Sequence, residues 1–437
     1  MQKVKSILLA MAIVLMASVV HAQEGSLNAF SPYTFYGVGN LSMSNGASFD
    51  GMAGANIGFR SYMKTNMSNP AAFSAVGRNT MLFDVGIVGS NVYSRQYNAQ
   101  GSLMRSSDNS FNLSNVAMLV PLTKKLGLGF SVKPYSSVGY KTQRYETSND
   151  VIADLGAVLY NYSGEGNITQ MKLGLGWEPF KNFSIGAEAV FYHGAINRYY
   201  SATIETFTGN GEYNSISAST TERINRFSGN FGLQWNVLSS ENHTLTLGAT
   251  YTLDCKLKSK TVDYIPSGNV FGDSVRYETP SSRFHLPQSV GVGVFYHRQK
   301  WSVGFDYQWA NWGANGFDTA NDVGYRDTHT YRLGAQFTPS RFDVRNPMKR
   351  LTYKAGVRYG DYYLVKNGVN MSEKAVSFGV EIPFKTMKIS NLNIAVEYVN
   401  RGTLDHNLIS ENYIKVSLGV LFFGADFDYW FVKKKFK

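Results

Sequence analysis

Hydrophobic and polar residues alternate along most of this chain with a period of two. The clearest segment carries bulky apolar side chains at every second position: Trp301, Val303, Phe305, Tyr307 and Trp309. The residues between them are small or polar. Successive side chains of a β-strand point to opposite sides, so this segment predicts a strand with one apolar and one polar face. A helix would repeat its apolar positions every three to four residues instead.

The same alternation recurs from Thr80 to the end of the chain. The candidate segments lie near 80–95, 109–122, 126–144, 165–178, 182–204, 217–237, 243–263, 275–297, 301–313, 328–338, 351–365, 373–384, 389–401 and 411–422. An even number of strands, about 14, returns both ends of a barrel to the same side of a membrane. The pattern therefore predicts an all-β fold, a transmembrane antiparallel β-barrel.

The connections between these segments alternate in length. Short ones at 123–125, 180–182 and 298–300 are typical of periplasmic turns, and longer polar ones such as 145–164 and 314–327 are typical of outer loops.

A soluble all-β protein would also alternate, but its inward face would be dry. Here that face carries charges in mid-strand, at Asp306, Arg332, Lys354, Arg358 and Lys415. So many buried charges are costly in a dry sandwich, whereas a wet lumen tolerates them. The charges favour the barrel.

The chain begins with the parts of a secretory signal. Lys3 and Lys5 precede an almost wholly apolar run at 7–20, and Val20-His21-Ala22 offers small residues at the −3 and −1 positions of a cleavage site. We expect residues 1–22 to be a cleaved signal peptide of a protein destined for the outer membrane; an uncleaved anchor helix is the alternative.

Composition narrows the class further. The aromatic content of 14% and the 42 glycines suit the interfacial girdles and crowded inward positions of a barrel. Cys255 is the only cysteine, which excludes an intramolecular disulfide and a cysteine-based zinc site. The net charge of +11 would suit nucleic acid, but the export signal argues against that partner. Outer-membrane lipid and lipopolysaccharide are the expected partners, with a solvated loop surface as the alternative.

Residues 23–77 do not alternate, and we expect them to form an N-terminal plug inside a barrel of residues 78–437 that ends in a short basic tail. The segment is rich in Gly, Asn, Ser and Met, yet it also carries scattered aromatic residues that a disordered tail would lack.

Several motifs resemble the FadL/TodX family of outer-membrane transporters for hydrophobic compounds such as long-chain fatty acids and toluene. The first segment has Gly-rich stretches at 35–39 and 51–55, followed by Asn69-Pro70-Ala71. Further along are Leu286-Pro287 before a strand, the Trp-rich strand at 301–312, and the segment 132–140 with Pro134 in the third strand. The resemblance spans essentially the whole mature chain.

The third strand is expected to be interrupted at Pro134, because proline donates no ladder hydrogen bond. The resemblance implies that this break is a lateral portal, with Pro134, Tyr135 and Gly139 at its edge; a harmless bulge at the membrane rim is the alternative. The resemblance also implies a hatch, in which Asn69, Pro70 and Ala71 form the hinge between plug and wall.

The apolar plug residues are candidates for the substrate route, since Met and aromatic side chains adapt to varied apolar ligands. They are Phe35, Tyr36, Met43, Phe49, Met52, Phe59, Met63 and Phe73. Each could equally be packing that keeps the plug in place. Arg332, Lys354 and Arg358 could meet an acidic head group, or form a hydrogen-bonded ladder around the plug.

No motif for catalysis is apparent. The Gly-x-Gly pairs do not lie between a strand and a helix, the histidines are scattered, and there is no Gly-x-Ser-x-Gly elbow. We therefore expect no enzyme, no metal and no cofactor.

The sequence thus predicts passive uptake of hydrophobic small molecules, through plug displacement and lateral release. The barrel-assembly machinery is an expected partner during insertion. A secretion-system docking component and a general porin are the alternative functions.

Overall fold

The computed structural model describes residues 29–77, 80–98, 100–155, 157–205, 216–240, 242–257, 259–266, 274–281, 284–318, 322–384 and 390–423. The expected signal peptide 1–22 and the basic tail at the C terminus lie outside these ranges.

Long antiparallel strands form the wall of a closed barrel. They are β1 (Leu82–Tyr97), β2 (Leu103–Pro121), β3 (Leu126–Tyr145), β4 (Ala157–Phe180), β5 (Phe183–Glu205), β6 (Ile216–Ser239), β7 (His243–Thr252), β8 (Ser289–Arg298), β9 (Trp301–Ala310), β10 (Thr328–Phe337), β11 (Thr352–Lys366), β12 (Val369–Pro383), β13 (Ser390–Arg401) and β14 (Ser410–Phe423). Each pairs with the next, and β14 pairs with β1 from Leu82–Phe423 to Arg95–Ser410. The predicted transmembrane barrel of 14 strands is confirmed.

The alternation in the sequence corresponds to the two faces of this wall. On β9, Trp301 is 56% exposed on the outside, whereas Asp306 is only 1% exposed on the inside. Because the outward face is apolar around the barrel, hydrocarbon can surround it.

Shorter elements lie in the plug and the connections. The helices are α1 (Ala47–Asp50) and α2 (Asn149–Leu155), and the 3-10 helices are Pro32–Phe35, Pro70–Ala75, Trp312–Asn315, Pro347–Arg350 and Asp405–Asn407. The short strands are Asn40–Leu41, Cys255–Lys256, Ser259–Pro266, Ser274–Ser281, His285–Leu286, Phe317–Asp318 and Val323–Tyr325. Within the ranges given above, no helix has the length and apolarity needed to cross a membrane.

The boundaries differ most from the prediction between β7 and β8. Strand β7 ends at Thr252 and β8 begins at Ser289, so the predicted segments 243–263 and 275–297 are each interrupted there. Strands Ser259–Pro266 and Ser274–Ser281 pair with each other as a hairpin, and the first of them also pairs with β6 through Asp263–Thr220 and Tyr264–Ser219. A hairpin alternates like a wall strand, so periodicity alone does not separate the two.

The described N-terminal segment, residues 29–77, lies inside the barrel and follows its inner perimeter. It meets inward-facing glycines of the wall, where a Cβ atom would collide with the plug, mostly with its backbone and at Gly232 and Gly419 with side chains. These glycines, here called the glycine girdle, are Gly127, Gly176, Gly186, Gly232, Gly248, Gly293, Gly334, Gly356, Gly379 and Gly419. Many are direct partners across neighbouring strands, such as Gly176 with Gly186 and Gly334 with Gly356.

The plug chain meets the girdle strand by strand. Ala47 lies against β14, Met52 against β11 and β10, Ile57 against β8 and β7, Pro70 against β6, β5 and β4, and Phe73 against β3. The plug therefore circles the lumen instead of crossing it, and glycine lets its backbone lie directly on the wall.

A side chain added to the girdle should weaken the seating of the plug. A Cβ atom at Gly334 would lie 2.6 Å from the carbonyl oxygen of Met52. We expect Gly334→Ala to lower the free energy of unfolding by about 1–3 kcal/mol, the usual cost of overpacking, as measured by urea unfolding in detergent followed by tryptophan fluorescence. Gly89→Ala is the matched control, because its Cβ would meet its nearest atom only at 3.8 Å. Equal stability of the two variants would contradict the role of the girdle.

Candidate functional site in the plugged lumen

The wall is incompletely paired between β2 and β3. Pairing runs from Pro121–Gly127 to Val116–Val132, and beyond that point the described parts of the two strands are not paired with each other. Both strands are irregular there: β2 shifts register against β1 near Ser114, and β3 shifts against β4 at Tyr135. Pro134 lies two residues beyond the last pair and donates no hydrogen bond. The wall therefore has a gap beside the upper part of β3.

The plug occupies this gap. Its short strand pairs with β3 through Asn40–Ser137 and Leu41–Ser136. The backbone N–H of Ser42 donates to the Tyr135 carbonyl at 2.8 Å. We call residues 29–46, which line the gap, the N-terminal arm, and residues 47–77, which lie on the girdle, the plug body. The arm satisfies backbone groups of β3 that would otherwise lack partners.

On the β2 side, the hydroxyl groups of Ser44 and Ser114 lie 3.0 Å apart. The arm thus contacts both strands that border the gap.

The predicted portal residues lie at this gap. Tyr135 is half-buried and packs edge-on against Tyr192 with ring centroids 5.0 Å apart. Gly139 lies directly against the backbone of Ala29, so that no side chain fits there, and its carbonyl accepts a hydrogen bond from the Ser31 N–H at 2.9 Å. The structure brings Pro134, Tyr135 and Gly139 together with the arm; whether they open as a portal stays a prediction.

The candidate route residues fall into two groups. Phe35, Tyr36 and Met43 belong to the arm and are half-buried. The Phe35 ring contacts the rings of Tyr140 and Tyr162, with centroids 5.2 and 6.0 Å away. These arm residues form an aromatic surface close to the gap.

The plug-body residues are packed more tightly. Phe49, Met52 and Phe59 form a buried cluster with Phe295 of β8, and Phe73 packs separately against wall residues. For these residues the structure favours packing over a substrate route. Met63 is half-buried at the periplasmic side, where its sulfur lies 3.4 Å from a guanidinium nitrogen of Arg341.

Asn69, Pro70 and Ala71 are buried where the plug body contacts the wall. The Asn69 side chain accepts a hydrogen bond from the Ala71 N–H at 3.1 Å and so caps the 3-10 helix Pro70–Ala75. Its amide donates to the carbonyls of Ile57 and Leu233 at 3.0 and 3.1 Å. This motif ties the plug body to β6; a hinge motion there stays a prediction.

Two of the three predicted lumen charges have carboxylate partners. Lys354 lies 2.9 Å from Glu381, and Arg358 lies 2.8 Å from Glu373. The Lys354 ammonium also donates to the Ser48 carbonyl of the plug at 2.8 Å. Arg332 donates to the Gln308 amide oxygen at 3.1 Å.

Arg401 links this charge ladder to the arm. It binds Glu373 at 2.6 Å and donates to the Asn40 side chain at 2.9 Å. Its guanidinium lies between the rings of Tyr362 and Tyr413, at 4.4 and 5.0 Å from their centroids. A fully desolvated arginine is therefore held by carboxylates and by two cation–π contacts.

Below the plug, a vestibule of about 580 Å³ opens at the periplasmic end. Its lining includes Arg60, Lys124, Glu178 and Thr246, and Arg60 is paired with Glu178 at 2.9 Å.

The model of the BamG family matches residues 3–437, nearly the whole sequence. The chain belongs to the BamG family. A comparison of this BamG-family chain with curated proteins finds no match.

Solved structures similar to this BamG-family chain include toluene transporters and a FadL homologue. The P. putida toluene transporter TodX has 16% identity and a TM-score of 0.55, with 87% of this chain and 98% of TodX covered. A Pseudomonas aeruginosa FadL homologue has 15% identity and a TM-score of 0.53, with 88% and 98% covered. The Ralstonia pickettii toluene transporter TbuX has 12% identity and a TM-score of 0.55, with 87% and 98% covered. The predicted resemblance to FadL-type channels is confirmed, and at these identities it establishes the shared fold.

Sequence reasoning missed several residues that hold the BamG-family plug. Asp306 was identified only as a lumen charge, yet its carboxylate accepts hydrogen bonds from the backbone N–H groups of Asn56 and Ile57 at 2.6 and 2.9 Å. Glu373, Glu381 and Arg401 were not singled out. The available signal was their inward position in alternating strands, where Glu381 and Glu373 lie on the neighbouring strand, diagonal to Lys354 and Arg358.

Breaking the ladder should destabilise the barrel strongly. Glu373→Gln removes the charge that Arg358 and Arg401 share, and an uncompensated buried cation costs about 3 kcal/mol or more. Urea unfolding should show this loss. Glu178→Gln, which breaks the less deeply buried pair with Arg60, should cost less than Glu373→Gln does. A Glu373→Gln loss no larger than that of the control would refute the ladder's role.

Proposed function

We propose that this BamG-family chain is a plugged outer-membrane channel, exported by a cleaved signal peptide, for passive uptake of hydrophobic small molecules such as long-chain fatty acids. One observation carries the proposal: beyond Val116–Val132 the described parts of β2 and β3 are not paired with each other, and a short arm of the plug occupies the gap. A hydrophobic solute that reaches this point passes from the lumen directly into hydrocarbon.

The proposed route follows from the polarity of the two ways out of the lumen, the gap beside β3 and the periplasmic vestibule. Solute enters from the outer loops and meets the aromatic surface of Phe35, Tyr140 and Tyr162. The lining of the vestibule beneath the plug includes the charged groups of Arg60, Lys124 and Glu178, and an apolar solute that passes there would have to displace water from them. Release through the gap avoids both the charge ladder and water.

The arm is the part of the plug that moves in this proposal. The plug body lies on the glycine girdle and is fixed by an ion pair between Lys64 and Glu381 at 2.6 Å. The arm pairs with β3 over only two residues, Asn40 and Leu41. Arg401 and Glu411 also hydrogen-bond to Asn40 and Ser31 of the arm. Release of the arm therefore breaks hydrogen bonds but no ion pair, whereas release of the body also breaks the buried pair of Lys64 with Glu381.

The lumen cations support a structural role more than recognition of an acidic head group. Lys354 and Arg358 are each engaged by carboxylates and are 5% and 4% exposed. Likewise, the plug body places the buried cluster of Phe49, Met52 and Phe59 inside the barrel. This packing supports a hydrophobic-compound channel over a general porin, because a porin needs a continuous aqueous lumen.

Membership of the BamG family supports a second candidate, association with the barrel-assembly machinery. In this role the barrel is a docking component, and its lumen needs no moving arm.

Locking the arm to the wall should block uptake. Leu41 and Ser136 are directly opposed in a non-hydrogen-bonded pair, the geometry that suits a cross-strand disulfide. In a Cys255→Ser background, we expect oxidised Leu41→Cys/Ser136→Cys to reduce the uptake of labelled long-chain fatty acid by cells at least about tenfold, since the gap is then closed covalently. Reduction should restore uptake.

The matched control locks the plug body instead. Thr65 and Asp84 hydrogen-bond at 2.7 Å between body and β1, so oxidised Thr65→Cys/Asp84→Cys should leave uptake near that of the Cys255→Ser parent. Full uptake by the locked arm, with the disulfide verified, would exclude release through this gap.

The second candidate has its own readout. In cells lacking the gene, an assembly role predicts lower amounts of other barrels in the outer membrane, measured by quantitative proteomics. The oxidised arm-locked variant should then restore those amounts without restoring uptake. Unchanged amounts in the deletion strain would leave no support for an assembly role.

A further inference from the structure

The excess positive charge of this chain is concentrated at one end of the barrel. The turns at the periplasmic end carry Lys124, Lys125, Lys181, Arg298, Lys300, Arg341, Arg345, Lys349 and Arg350. Within the described parts of these turns, the acidic residues are Glu178, at the end of β4, and Asp343. The outer loops mix both signs, for example Glu146, Asp318 and Arg326. The electrostatic field of the barrel thus attracts anions to its periplasmic end.

One connection at this end is much longer than the others. Residues 338–351, here called the β10–β11 loop, replace the two-residue turns seen at 181–182 and 299–300. The loop is ordered by its own polar contacts. The Asp343 carboxylate accepts hydrogen bonds from the N–H groups of Asn346 and Arg345 at 2.7 and 2.9 Å, and the former bond in particular lowers the pKa of Asp343. The Ser340 N–H donates to the Lys349 carbonyl at 2.8 Å.

Because polar contacts hold the loop, its apolar side chains are left on the surface. Phe342 is 87% exposed, Val344 81% and Met348 60%. An exposed apolar group of this size on an ordered loop marks a contact site.

This apolar group continues the lipid-facing belt. The loop begins directly after Phe337, which stacks on the outward Trp301 with centroids 4.3 Å apart. It ends just before Tyr353, whose hydroxyl donates to the Met348 carbonyl at 3.2 Å. The 3-10 helix Pro347–Arg350 is therefore held beside the aromatic girdle at the lower edge of the belt.

The loop also presents cations without strong partners. Lys349 is 4.0 Å from Asp343 and its side chain is 57% exposed, and Arg345 is exposed. The Nε atom of Arg350 is shielded from solvent yet has no hydrogen-bond partner among the described residues. A buried unpaired donor of this kind is expected to acquire an acceptor.

We propose that the β10–β11 loop is a binding site for an anionic phospholipid of the periplasmic leaflet. Arg345, Lys349 and Arg350 bind the headgroup phosphate, and Phe342, Val344 and Met348 enter the boundary between headgroups and acyl chains. Continuity with the membrane belt favours a lipid over a protein, and the mixed charge of the outer loops favours this leaflet over lipopolysaccharide. The inference rests on the membrane placement in the proposed function but not on the uptake route.

The test measures which lipid the full-length protein retains. The protein is purified into nanodiscs of phosphatidylethanolamine and phosphatidylglycerol in equal amounts, and the bound lipid is identified by native mass spectrometry after release. We expect several-fold enrichment of phosphatidylglycerol. Each charge reversal, Arg345→Glu or Lys349→Glu, should reduce the enrichment about fivefold, because one basic residue near an anionic surface contributes about 1 kcal/mol.

Two further variants separate the contributions. Phe342→Ser should reduce retention of both lipids without changing their ratio, and Lys141→Glu, an exposed charge near the outer end of β3, should change neither. Folding is verified by heat-modifiable migration in gels. Equal retention of the two lipids by the folded wild type would overturn the proposal, as would retention that inorganic phosphate displaces completely.

A photoreactive residue in place of Val344 tests in cells whether the loop contacts phospholipid or a periplasmic protein. Adducts with the mass of phospholipid support the site, whereas adducts with protein alone overturn it in favour of a periplasmic partner. Uptake by the Arg345→Glu variant should equal that of wild type, so failure of this inference is distinguishable from failure of the proposed channel function.

Discussion

The contact between the plug backbone and the glycine girdle is the constraint on which the rest of the structure depends. A wall strand normally fills its lumen with side chains, but at Gly176, Gly186 and Gly334 the space is taken by main chain. This lets the plug lie along the perimeter, so its own polar groups reach wall residues such as Asp306. The plug body is in effect a second layer of the wall, and its position determines where the N-terminal arm lies.

The charges of the lumen act within this arrangement. Glu373 is shared by Arg358 and Arg401, and Arg401 reaches Asn40 of the arm. Lumen charges in a plugged barrel therefore differ from those of an open pore, since protein groups, not mobile ions, neutralise them. The ladder holds one end of the arm while β3 holds its backbone.

The fold was largely predictable from the sequence because lipid and lumen impose opposite demands on neighbouring residues. The alternation that begins at Trp301 predicts strands such as β9. The break beside Pro134 was predictable because proline has no backbone N–H group to donate. The interruption of β7 at Thr252 was not predictable, since the hairpin that follows it has the same period and again pairs with β6.

At the candidate site, residue types were predicted better than their partners. Lys354 and Arg358 stood out as charges in mid-strand, but strand register decides that Glu381 and Glu373 meet them. Phe49 and Phe35 looked alike in the sequence, yet one is 2% exposed within a cluster and the other lies half-buried in the arm. The β10–β11 loop escaped notice because it neither alternates nor carries a recognisable motif.

The pairing of β1 with β14 has a consequence for biogenesis. Leu82 follows the plug almost immediately in the chain, whereas its partner Phe423 is among the last described residues. The barrel can therefore close by pairing of β1 with β14 only after nearly the whole polypeptide has reached the periplasm. By then the plug must already lie on the inner face of the sheet. The plug, which precedes every wall strand in the chain, is thus enclosed by pairing of the last strand with the first.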